Sequence, residues 1–124
     1  MILAHRGTWG TLPTSSFDLL GDDNSVIGRA QIRHQPTRNL DLPPEAANHI
    51  YYEIEPRHRG RGHGKALMGL VLDEARRIGL ERVRLTCTDD NPASRHIIES
   101  HGAVLLGDFI SRRGERYHLF EISV

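Results

Sequence analysis

The sequence predicts an α/β fold: a mixed, mostly antiparallel sheet of about six strands carrying two helices, with one parallel strand-helix-strand crossover. Two kinds of pattern predict it. Near each end of the chain a polar turn joins two apolar segments, the mark of a hairpin. Between them a β-rich segment, a long amphipathic helix and an alternating segment follow one another. That order demands a crossover, because parallel strands cannot be joined by a tight turn.

Taken in order, SFDLL (16–20) and VIGRAQIRH (26–34) flank the turn GDDNS and form the first hairpin. QPTRNLDLPPEAA follows as a surface loop, since Pro43 and Pro44 exclude regular structure. HIYYEIE (49–55) is dense in β-branched and aromatic residues and stops at Pro56, a third strand. Leu67, Leu70, Val71, Ala75 and Ile78 then recur at helical spacing, with Asp73, Glu74, Arg76 and Arg77 mostly on the other side and Gly79 as the C-terminal stop. RVRLTCT (82–88) alternates Val83, Leu85 and Cys87 with polar neighbours, a half-buried strand. Asn91 as N-cap, Pro92 at the first position and Gly102 at the end delimit a short second helix. AVLLGDFI and RYHLFEISV, joined through SRRGE, make the last hairpin.

The 124 residues make one domain, 1–124, without repeats or low-complexity tracts, long enough to bury roughly two-thirds of the surface exposed by the unfolded chain. Sixteen Lys and Arg balance sixteen Asp and Glu, so no overall field draws the molecule to nucleic acid or to an anionic membrane. The single cysteine cannot form an intramolecular disulfide, and the opening MILAHRGTWG has no apolar run of signal or membrane-span type. A cytoplasmic location is expected. Eight histidines show no CxxC or HExxH spacing, so no metal site is expected.

The chemistry concentrates in EPRHRGRGHGKA (55–66), four cationic side chains and three glycines at a strand-to-helix junction. One short run does not make an RGG-type RNA-binding tail. Gly60–Lys65 reads GRGHGK, one residue short of a P-loop, with Ala66 where a magnesium-binding hydroxyl would stand, and GxGxG is not the dinucleotide spacing GxGxxG. The shared physics remains: glycines let the backbone approach a ligand, and free amides at a helix N-terminus cradle an anion. Cations there oppose the helix dipole unless an anion is present, which favours a pyrophosphate-type ligand over a plain turn.

Read as Arg59-Gly60-Arg61-Gly62-His63-Gly64, the loop resembles the Arg/Gln-x-x-Gly-x-Gly/Ala signature of the GNAT superfamily of N-acetyltransferases. NPASRHIIESHGA (91–103) resembles the family's Asn-x-x-Ser helix ending in Gly. The likeness runs from about Val26 to the C-terminus, with both motifs in order. It implies a GNAT-like fold and acetyl-CoA as donor. The pyrophosphate would rest on the amides of Arg61, Gly62, His63, Gly64 and Lys65, with Gly60 permitting close approach and Arg59 adding charge. The main chain at Ile54 would pair with the pantetheine arm where two strands splay, and Asn91 and Ser94 would contact the cofactor. As N-cap and first-turn residue, the latter two also have a purely structural explanation.

The departures are informative. The family tyrosine on the second helix, taken to protonate the leaving thiolate, is replaced by Ile98, and the aromatic after the terminal glycine by Ala103. The usual N-terminal strand and helix pair, which wall the acceptor site, are expected to be missing; a homodimer partner that covers the resulting edge is the preferred explanation, with an unusually open site or a missing start of a longer protein as the alternatives. The acceptor amine must lose a proton before attacking the thioester, and an amide beside Ile54 could stabilise the oxyanion. Glu53 and His49, on one strand face by alternation, are the candidate bases, with a water chain as alternative; Tyr52 and Tyr117 are candidate acids. A non-catalytic acyl-CoA-binding module and, more weakly, an RNA-binding protein are the other readings. The acceptor is a small-molecule or peptide amine, with protein N-termini, lysine, aminoglycosides, polyamines and small amino acids all open.

Overall fold

The computed structural model describes residues 1–124. In chain order the elements are β1 (Ile2–Trp9), β2 (Thr14–Leu20), β3 (Val26–Thr37), β4 (Asn48–Ile54), α1 (His63–Ile78), β5 (Arg82–Thr88), α2 (Pro92–Ser100), β6 (Val104–Ile110) and β7 (Arg116–Ser123). They form a four-stranded sheet of order β1-β2-β3-β4 and a three-stranded sheet of order β5-β7-β6, each antiparallel throughout. No helix is long and apolar enough to cross a membrane.

Seven strands replace the six expected. The additional one, β1, escaped the sequence pattern because a bulge between His5 and Gly7 breaks its alternation and most of its side chains are solvent-exposed. Its ladder to β2 holds it in place, with Leu3, half-buried, packing against the core. Residues 10–13 join the two strands, and no α-helix precedes α1. The second difference lies in β3, which continues past His34 to Thr37: a register shift sets Ile32 opposite Ile50 but Thr37 opposite Asn48. Five residues of β3 therefore span two of β4, and Pro36, which cannot donate to a ladder, falls within the bulge.

The third difference concerns the crossover. The strands flanking α1 lie side by side, yet no ladder joins β4 to β5, so the sheet is split rather than mixed. The physical reason is local. The Arg84 amide on β5 donates to Nδ1 of the His49 imidazole at 2.9 Å instead of to a main-chain carbonyl of β4. Both hairpin turns form as predicted, with Asn24 left-handed in the first and Ser111 N–H donating to Glu115 O in the second.

The core lies where α1 covers the split. Its apolar stripe, Leu67, Met68, Val71, Leu72 and Ala75, is buried against Phe17, Leu19, Ile32 and Ile50 of one sheet and Val83, Leu85, Phe120 and Ile122 of the other. A single side chain of α2, Ile98, reaches full burial. Burying an apolar side chain of this size contributes about 1.5–3 kcal/mol, so α1 unites the two sheets while α2 is held by far less.

A polar clamp reinforces the second sheet. His118 on β7, 4% exposed, meets Asp108 of β6 through Nδ1 at 2.6 Å and Asp89, just beyond β5, through Nε2 at 2.8 Å. These two carboxylates raise the imidazole pKa. A raised folded-state pKa adds stability that is complete below the unfolded value near 6.5 and fades as pH climbs through the folded value. Melting temperatures recorded from pH 5 to 9 should therefore show His118→Asn trailing wild type most at the acid end. A constant gap would refute the charged clamp. His49 acts in the opposite sense: burial, then Arg84 and Arg33, lower its pKa, so its contribution is complete above about 6.5 and fades on acidification.

Candidate active site

The glycine loop enters α1 without a side-chain cap. Gly62, the N-cap residue, is left-handed at φ 81°, as is Gly60 at φ 76°, and a side chain on either would meet nothing within 4 Å. The glycines therefore serve backbone conformation and leave the space above them open. The first hydrogen bond into the helix comes from Ala66 N–H to Gly62 O at 3.4 Å, so the amides of His63, Gly64 and Lys65 have no main-chain acceptor. No acidic residue stands in the first turn. Free donors and the positive dipole end point the same way, toward an anion. Gly64 is bare for a different reason. A methyl group there would come within 2.7 Å of Ile97 Cδ1, so the missing side chain lets α1 and α2 approach closely.

A cleft of about 520 Å³ opens over this loop, lined by Ile54, Arg59, Gly60, Gly62, His63, Gly64, Lys65, Asn91 and Ser94 among others. The structure thus gathers into one groove almost all the residues expected to bind the cofactor; Arg61 alone is not on its wall. His58 also faces the cleft, and its Nε2 is buried without a hydrogen-bond partner, a polar atom suited to a polar ligand. Arg59 is held by a hydrogen bond from Nε to the Ile54 carbonyl at 2.9 Å. Asn91 caps α2, its Oδ1 accepting from Ser94 N–H at 3.1 Å.

A second cleft of about 480 Å³ adjoins the first, over the bulge of β3 and the ends of β4 and β5. Arg33, Arg38, Asn48, Tyr51, Cys87 and Tyr117 are on its wall. Tyr52, Asn91 and Ser94 line both clefts. At this shared wall the Tyr52 hydroxyl and Ser94 Oγ are 2.6 Å apart. Burial raises the Tyr52 pKa, only partly offset by Ser94, so the phenol holds its proton at neutral pH.

The two expected bases come out differently. His49 is 6% exposed and its Nδ1 accepts from Arg84, which leaves the neutral ring with its proton on Nε2. Glu53 accepts from the Tyr51 hydroxyl at 2.9 Å and lies 3.8 Å from Arg29 on the outer face of its sheet. Neither residue lines either cleft; Glu53 touches the second only through Tyr51. The family tyrosine position, Ile98, is fully buried in the core, and the titratable side chain that α2 does bring to the first cleft is His96. Arg33, Arg38 and Asn48 went unnoticed in the sequence. The one signal available was Pro36, whose place in a strand implies the bulge beside Arg33.

The family model described as the acetyltransferase (GNAT) family matches residues 5–103. A mycothiol acetyltransferase of Geodermatophilus obscurus is 33% identical over 89 residues, covering 71% of this chain. The chain spans only 28% of that protein's length. Among solved structures, a spermidine N-acetyltransferase from Vibrio cholerae, in complex with CoA and spermine, is similar with a TM-score of 0.71 at 21% identity, over 89% of this chain and 65% of that one. An acetyltransferase from Bordetella pertussis assigned to the GNAT family is similar with a TM-score of 0.73 at 21% identity, over 89% and 66%. At these identities the structures speak for the fold.

Proposed function

The chain belongs to the GNAT acetyltransferase family, and from that premise we propose that it is an acetyl-CoA-dependent N-acetyltransferase acting on a primary amine. The observation that carries the reading is the meeting of two clefts, one built over free helix-terminal amides and the other over polar side chains, at Tyr52 and Ser94. The fit to a nucleotide-pyrophosphate donor rests on the uncapped start of α1, the open space over Gly60 and Gly62, and the orphaned His58 Nε2.

Acetyl-CoA supplies an activated acyl group: the amine nitrogen bonds to the thioester carbonyl carbon, the C–S bond breaks, and CoA departs as a thiolate that must gain a proton. The chain's residues divide the remaining work. His63, Gly64 and Lys65 would offer their amides to the pyrophosphate, with Arg59 on the cleft wall and Arg61 farther off adding positive charge. Asn91, Ser94 and the main chain of Ile54, which line the same cleft, would hold the pantetheine arm. Tyr52, protonated and hydrogen-bonded to Ser94, is the proton donor to the thiolate, taking the part that Ile98 cannot. The proton of the attacking amine leaves through water in the open second cleft, since His49 and Glu53 line neither cleft. Val104, Leu105, Leu106 and Ile110, exposed on the edge strand β6, support a homodimer, which sedimentation of a monomer would count against.

A thermal melt with acetyl-CoA, with ATP and with a short RNA tests the assignment. At a hundredfold excess over its dissociation constant a ligand adds about 2.7 kcal/mol, on the order of 10 °C for a domain of this size. The expected result is a shift with acetyl-CoA and none with RNA, followed by CoA release with an amine. No shift with acetyl-CoA would sink the reading, and binding without turnover of any amine would leave a non-catalytic module.

A further inference from the structure

Building on the acetyl-transfer reading, we infer that the acceptor is a primary amine that also carries an anionic group, a carboxylate or a phosphate, met by Arg33. Fourteen residues line the second cleft, and none is Asp or Glu. Two of them, Arg33 and Arg38, are cations, and Asn39, Asn48, Tyr51 and Tyr117 add neutral polar groups.

Arg33 is the decisive residue. Seven arginines of this chain, including the half-buried Arg84 and Arg95, have a carboxylate within 4 Å. Among those without one, Arg33 alone is half-buried, the others being exposed. The only hydrogen bond of its side chain runs from Nη1 to Asn48 Oδ1 at 3.0 Å, which orients the guanidinium without neutralising it. Burial lowers its pKa, as expected for a cation withdrawn from water without a counter-charge. Such a group is costly in the free protein and is stabilised by a bound anion, for which the planar guanidinium fork is well matched. The bulge of β3 places it: the five-for-two register directly after Ile32 sets Arg33 beside the cleft.

The same charge bears on the other end of the acceptor. An ammonium entering a cleft walled by two arginines and no acid is destabilised relative to the neutral amine, the form that attacks. The cleft thereby favours deprotonation without a carboxylate base, in keeping with the position of Glu53 outside it. On the wall itself a polyamine, cationic at every nitrogen, would meet two arginines and no carboxylate, Glu53 standing behind Tyr51 beside Arg29.

The test uses the full chain with CoA for binding and acetyl-CoA for turnover, and acceptors differing in one group: 4-aminobutanoate against 4-aminobutanamide, phosphoethanolamine against ethanolamine, and spermidine. Binding is read as the added thermal shift over CoA alone, and turnover as CoA release. The anionic member of at least one pair should exceed its neutral partner tenfold or more in kcat/KM, with spermidine weakest; which pair responds separates carboxylate from phosphate. Arg33→Gln, which keeps a hydrogen-bond donor, should bring that ratio near one while the shift caused by CoA stays as in wild type. With the CoA shift intact, equal or better response to the neutral amines or spermidine, response to none, or an unchanged ratio in Arg33→Gln overturns the inference alone. Loss of the CoA shift in wild type overturns the acetyltransferase reading, and this inference falls with it.

Discussion

Replacing Tyr52 by Phe is expected to lower kcat for acetyl transfer by about a hundredfold or more, the usual worth of a positioned proton donor, while acetyl-CoA still raises the melting temperature as in wild type. The substitution is narrow. It keeps the ring, which packs against the core, and deletes only the hydroxyl that bonds Ser94 Oγ at 2.6 Å. Losing one such hydrogen bond costs about 1 kcal/mol of stability, too little to unfold the domain. A proton donor and a structural tether predict different kinetics: loss of the donor reduces kcat with KM for acetyl-CoA unchanged, whereas a misplaced α2 would raise KM. Ser94→Ala supplies the comparison, since it removes the tether and keeps the phenol. Burial raises the Tyr52 pKa, so wild-type kcat should fall on the alkaline side as the phenol ionises, a limb that Tyr52→Phe should lack. Wild-type turnover by Tyr52→Phe would transfer the role to another group, with Tyr117, also on the wall of the second cleft, next in line.

Ile98→Ala is expected to cost about 2–5 kcal/mol, a fall in melting temperature on the order of 10–20 °C, and to weaken acetyl-CoA binding as well. The reason is the thin attachment of α2. Nine residues long, it buries one side chain completely, and that side chain is Ile98 at 0% exposed. Truncation leaves a cavity under the helix whose first turn carries Asn91 and Ser94 to both clefts. Affinity for acetyl-CoA should therefore drop even at temperatures where the chain remains folded. Ile98→Tyr distinguishes position from chemistry. A tyrosine at a fully packed site overfills it, at a cost of typically 1–3 kcal/mol, and its hydroxyl is expected to bring no gain in kcat. Faster turnover in Ile98→Tyr would show that this position faces the thioester, against the burial observed. Near-wild-type stability of Ile98→Ala would show that α2 is held by something other than this contact.

Which parts were legible in the chain follows from how each is encoded. The hairpin of residues 16–34, α1 with its stop at Gly79, the cap of α2 at Asn91 and the glycine loop are written in contiguous residues. Their causes are local: turn chemistry, helical periodicity, capping and backbone freedom, so a one-dimensional reading reaches them. The edge strand β1 was not legible, since its bulge breaks the alternation and a strand held by its ladder needs no apolar face. Nor could alternation tell which face of β4 meets a cleft. It put His49 and Glu53 together, but α1 and α2 cover the other face, where Tyr52 and Ile54 pack.

By itself, then, the sequence determined the elements, their order, the anion cradle and the family resemblance, because each depends on neighbours a few residues away. Tertiary structure alone decided the split between β4 and β5, the burial of His49, the joining of two clefts at Tyr52 and Ser94, and the unpaired charge of Arg33. These bring together residues dozens of positions apart, as with the 42 between Tyr52 and Ser94. Whether a side chain there becomes a donor, a tether or an uncompensated charge depends on which partners the packing supplies and how much water it removes.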